Sequence, residues 1–66
     1  MNNSEALNNA IAFHQSGNFQ KAEQEYNKIL TIDPNNFYAL HYLGLLYYQQ
    51  QKYALAIDFI RKALGI

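Results

Sequence analysis

Apolar side chains recur three and four residues apart along almost the whole chain, and short polar stretches interrupt that rhythm at three places. From Ser4 to Gln15 the apolar positions are Ala6, Leu7, Ala10, Ile11 and Phe13, the stripe of an amphipathic helix whose first turn Asn3 or Ser4 can cap. Gly17-Asn18 ends that pattern: Gly17 suits the left-handed residue that closes a helix, and Asn18 can cap the next one. A second helix, roughly Phe19 to Ile32, places Ala22, Tyr26, Ile29 and Leu30 on one stripe, with Lys21, Glu25 and Lys28 among its solvated positions. Asp33-Pro34-Asn35-Asn36 is the clearest stop, because Pro34 disfavours helical geometry at Asp33 and either asparagine can cap a new helix. A third helix, about Phe37 to Gln50, carries Leu40, Leu43, Gly44 and Tyr47 on its core stripe, and a fourth, about Tyr53 to Leu64, carries Ala56, Ile57, Ile60, Ala63 and Leu64. The junction between these two, Gln51-Lys52, has no glycine and no good cap. A less sharp separation is expected there, with room for one continuous helix.

The pattern also repeats. Ala6 and Leu40, Ala10 and Gly44, Phe13 and Tyr47, Phe19 and Tyr53, Ala22 and Ala56, Leu30 and Leu64, and Ile32 and Ile66 are size-matched pairs at a constant spacing of 34 residues. Repetition at that period marks a helical solenoid, whose units stack because none can bury its apolar face alone. The chain therefore reads as one all-α domain, residues 1–66, built from two antiparallel helix-turn-helix repeats at about 3–36 and 37–66. Short side chains at Ala10, Ala22, Gly44 and Ala56 fit close helix approach.

On these residues the chain resembles the tetratricopeptide repeat family. The second copy carries the pattern as Leu40, Leu43-Gly44, Tyr47, Tyr53, Ala56, Ile60 and Ala63, and the first more loosely as Ala6, Asn9-Ala10, Phe13, Phe19, Ala22, Tyr26, Ile29 and Pro34. The resemblance implies stacked hairpins with a right-handed superhelical twist and a concave groove lined by the first and third helices. It also implies protein binding. Some members hold a C-terminal carboxylate with Lys and Asn side chains; the corresponding positions here are Leu7, Ile11 and Tyr42, which cannot form that clamp. Members usually end in a polar capping helix, whereas this sequence ends at Leu64-Gly65-Ile66, so the last repeat is expected to lack a cover.

Composition narrows the function. Five basic and five acidic residues balance without any block of one sign, so the electrostatic footprint of a nucleic-acid or anionic-membrane binder is missing. There is no cysteine, which removes disulfides and thiolate zinc sites. Met1-Asn2-Asn3-Ser4-Glu5 does not read as a signal peptide and Ala39 to Tyr48 is too short to span a bilayer, so a cytoplasmic location is expected and the glycosylation pattern at Asn2-Asn3-Ser4 reads as chance. His14 and His41 have no acidic or sulfur partner at helical ligand spacing, and they read as polar groove residues with no metal. Ser4, Ser16 and Thr31 read as caps and helix-end residues. Neither a catalytic site nor a cofactor motif is found. Phe13, Phe19, Tyr26, Tyr47, Tyr53 and Phe59 fall largely on core stripes, which favours packing over base stacking.

The expected binding groove comprises Leu7, Ile11, His14, Gln15, Tyr38, His41, Tyr42, Leu45, Tyr48 and Gln49, an apolar, aromatic and amide surface suited to an extended or helical protein segment. Tyr47, Ile57, Ile60 and Leu64 form a second expected surface, the edge left uncovered by the last repeat. It predicts a homo-oligomer, a two-fold dimer in the first place, with exchange of the last helix through Gln51-Lys52 as another route. The reading is a non-catalytic protein-interaction module. Its rivals are a purely self-associating module and a recruiting segment of a longer enzyme, such as a bacterial glycosyltransferase.

Overall fold

A computed structural model describes the backbone of residues 3–65 and the side chains of residues 5–65. The expected caps at Asn3 or Ser4 and the pairing of Ile66 with Ile32 lie outside the described residues. Four helices follow one another: α1 (Asn3–Gln15), α2 (Phe19–Ile32), α3 (Phe37–Gln49) and α4 (Tyr53–Leu64). The architecture is all-α. α1 packs against α2 and α3 against α4 as two hairpins, α3 lies on α2 and reaches α1, and α4 has α3 as its one helical neighbour among the described residues. The Cα atoms span 31 × 26 × 14 Å, a slab whose short dimension leaves most side chains with one wet side.

Small residues set the spacing inside each hairpin. Ala10 and Ala22 have no exposed surface, and Ala56 retains 3%. At Gly44 even a methyl group is too much, because a Cβ there would lie 2.7 Å from Ile60 Cγ1 and 3.2 Å from the Ala56 carbonyl oxygen. The core that these contacts enclose contains Ala10, Ala22, Tyr26, Leu43, Leu46, Tyr47 and Ala56. Ala39 and Leu46 are fully buried although the stripe read from sequence omits both. The reason is that α3 meets every other helix, α4 within its hairpin and α2 and α1 across the stack. Three other assignments need correction: Tyr53, Ile57 and Leu64, placed on core stripes, are 51%, 51% and 61% exposed.

Both hairpin turns have the same hydrogen-bond pattern. In the first, the amide of Asn18 donates to the Phe13 carbonyl at 2.9 Å and that of Gly17 to the His14 carbonyl at 3.1 Å, with Gly17 at φ +83°. In the second, Lys52 donates to Tyr47 and Gln51 to Tyr48, both at 2.9 Å, with Gln51 at φ +63°. This is the crossed pair of bonds by which a left-handed residue closes a helix. Gln51 stands in the glycine's place, so the less sharp separation expected at this junction is not seen: α3 and α4 are cleanly separated. Asn18, expected to cap α2, makes no side-chain cap bond. Asn36 does cap α3, its Oδ1 accepting from the Ala39 amide at 2.9 Å. Ser16 and Thr31 Oγ atoms donate back to the carbonyls of Phe13 and Asn27, each at 2.9 Å, as helix-end residues commonly do. No described helix is long and apolar enough to cross a membrane.

Candidate functional site

An open groove of about 360 Å³ lies between α1 and α3. Ile11, His14, Gln15, Tyr42, Leu45 and Gln49 line it together with Gly17 and Phe19. Six of the ten residues expected in the groove are therefore brought together. Gly17 and Phe19 were read as a turn and as core; they join the lining from the α1–α2 turn, where the Phe19 ring meets His14 edge-on, a placement that no helical periodicity encodes.

The other four expected groove residues lie elsewhere. Leu7 is half-buried against the core. Tyr38, 58% exposed, meets the Phe37 ring edge-on, and His41 stacks on Phe37 with ring centroids 5.7 Å apart and planes 7° from parallel. These rings form an aromatic cluster at the start of α3, joined to the groove through the edge contact of His41 with Tyr42. Tyr48 turns the other way and meets Tyr53 at 5.5 Å across the second turn, so it does not line the groove.

His14, expected as a polar groove residue, is also largely buried. It retains 9% exposure, Phe19 and Tyr26 meet it edge-on, and both ring nitrogens are engaged, Nδ1 with the Tyr26 hydroxyl at 3.1 Å and Nε2 with Gln49 Oε1. Tyr26 also stacks on Tyr42, with planes 3° apart. Burial first, and then the neighbouring Tyr42 hydroxyl, pushes the Tyr26 pKa up to about 12. No Lys, Arg, Asp or Glu among the described residues lines the groove. Among the described residues no group of three His, Cys, Asp or Glu side chains could hold a metal ion.

The expected edge is also redrawn. Tyr47 is core, 7% exposed: its hydroxyl donates to Glu23 of α2 and its ring packs on Phe59 of α4. Burial, followed by that hydrogen bond, pushes the Tyr47 pKa up to about 12. Ile60 is half-buried against Gly44. Ile57 and Leu64, at 51% and 61%, remain exposed with Leu55 at 43%.

Stacked helical hairpins with close small-residue contacts and an uncharged groove place this chain among the helical-repeat proteins that work through their surfaces. Family models for the TPR repeat and the tetratricopeptide repeat match residues 10–51 and 37–66, and the chain belongs to the tetratricopeptide repeat family. Neutrophil cytosol factor 2 of Mus musculus is 40% identical over 47 residues, which cover 71% of this chain and 9% of that protein's length. No solved structure matches.

Proposed function

We propose that this chain is a non-catalytic binding module that receives a segment of another protein in the groove between α1 and α3. The observation that carries the reading is the groove itself. It is preformed, lined by Ile11, Phe19, Tyr42 and Leu45 with amides at its rim, and free of charged side chains. A segment docking there gains apolar contact without ordering its host, which lowers the cost of association. Family membership supports protein binding in general. The name of the murine relative refers to the cytosol. A cytoplasmic location for this chain agrees with that name and with the lack of cysteine.

The test is selection of peptides from a displayed library, with chemical-shift mapping of those selected. Peptides that perturb Ile11, Tyr42 and Leu45, and that lose binding to Leu45→Glu while its helical circular dichroism is unchanged, support the groove. Selected peptides that bind Leu45→Glu as well as the unaltered chain exclude it. A second reading, self-association, is favoured by the exposure of Leu55, Ile57 and Leu64 on a helix whose one helical neighbour is α3 among the described residues. Two copies would cover those faces about a two-fold axis, or exchange α4 by straightening at Gln51.

A further inference from the structure

The direction of the hydrogen-bond chain at His14 is set by the one member that cannot be satisfied in another way. A neutral imidazole carries one N–H donor and one acceptor nitrogen, so His14 alone allows either direction. Tyr26 decides between them. Its side chain has no exposed surface, and its raised pKa keeps the hydroxyl protonated. Were that hydroxyl to accept from Nδ1–H, its own hydrogen would be buried and unpaired, since the Tyr26 hydroxyl makes no second hydrogen bond among the described residues, the neighbouring Tyr42 hydroxyl included, and proteins rarely tolerate that. With Tyr26 donating to Nδ1, the ring hydrogen sits on Nε2 and is donated to Gln49 Oε1, leaving every member satisfied.

The consequence falls on Gln49, an exposed residue of the groove wall. Its oxygen is held by His14, which fixes the orientation of the amide and leaves its two N–H groups for a ligand. An amide free to rotate presents either a donor or an acceptor; this one presents a donor. Resting on the groove reading above, we propose that Tyr26 and His14 are positioning residues that fix the Gln49 amide so that it reads a ligand through its N–H groups. The ligand is then a peptide segment that seats an aliphatic side chain against Ile11 and Leu45 and presents a main-chain carbonyl to the Gln49 amide. A carboxylate fits less well, because the groove has no cation to offset its desolvation. The groups that face the imidazole from α2 and α3, Phe19, Tyr26 and Gln49, carry no charge at neutral pH.

Two measurements on the whole chain test this. The first is the ¹⁵N spectrum of the His14 imidazole above the ordinary histidine titration range, where the Nε2–H tautomer is expected in the unaltered protein and a mixture in Tyr26→Phe. A predominant Nδ1–H tautomer in the unaltered protein overturns the chain of donors, and a merely structural role for Tyr26 would leave the tautomer unmoved. The second is chemical-shift titration with N-acetyl-leucine N-methylamide, an aliphatic side chain between two main-chain carbonyls. Binding at Ile11 and Leu45 is expected to weaken about tenfold in Gln49→Glu, which keeps an acceptor for His14 but has no donor, and to weaken in Tyr26→Phe as well. Equal binding by all three proteins overturns the donor assignment and leaves the groove reading standing. Binding by none of them at the groove overturns both.

Discussion

Gly44 is required by the approach of two helices and not by any backbone angle, since it sits inside α3 and its missing Cβ is the space that Ile60 fills. Gly44→Ala is therefore expected to destabilise by about 1–3 kcal/mol, the usual result of overpacking, despite alanine's better helix propensity. An unchanged melting temperature would show that α3 and α4 move apart freely. Two buried tyrosines give a pH signature at the same scale. Tyr26 and Tyr47 titrate at about 12 in the folded chain against 10.0 for the unperturbed phenol. A raised folded-state pKa means that the native state holds its proton more tightly, so this stability is complete below pH 10 and is lost as pH rises from 10 toward 12. Thermal melts across that window should fall steeply, and less steeply in Tyr47→Phe. A flat profile would mean that neither hydroxyl is buried as described.

At the scale of elements, the two turns are the same device built from different residues. Gly17 takes a left-handed angle at no steric cost, whereas Gln51 takes it with a Cβ present. Gln51→Gly is expected to stabilise the chain by about 1 kcal/mol, because the strain relieved exceeds the added freedom of the unfolded state. Chemical denaturation measures the difference, and a loss of stability would mean that the Gln51 side chain contributes something that its backbone does not show. The same substitution should suppress exchange of α4 between chains, since a relaxed turn removes the drive to straighten. Asn36 shows the contrary case, in which the residue is well suited to its place and caps α3 through its side chain.

For the whole molecule, the asymmetry between the two repeats matters most. Tyr26, Ile29 and the half-buried Leu30 of α2 are enclosed where α3 packs on it, whereas Ile60 and Leu64, 34 residues after Tyr26 and Leu30, lie on a helix that α3 contacts from one side. Leu64 and Ile57 thus offer apolar surface without being needed for the fold, unlike Ile60, which touches Gly44. If that surface drives association, Leu64→Lys or Ile57→Lys should give monomers by sedimentation with the helical signal intact. A chain already monomeric at high micromolar concentration would remove the self-association reading. Ile60→Lys does not separate these outcomes, because it would also disturb the α3–α4 contact.

The sequence by itself determined the four helices and their ends to within a residue or so, because helical period, glycine, proline and asparagine act through local backbone geometry. It also determined the family and the small residues at the close contacts, since a repeated unit shows its constraints twice. Six of the ten groove residues were legible in the same way, as positions on the inward face of the first and third helices. Tertiary structure decided the rest. Ala39 and Leu46 were buried because α3 is enclosed from more than one side, which one helix's periodicity cannot reveal. Tyr48 left the groove for Tyr53, and Gly17 and Phe19 entered it, because turns bring together residues from different helices. The bonds from Tyr26 through His14 to Gln49 join three helices, and hydrogen bonds of that kind are fixed by packing in space, not by spacing along the chain.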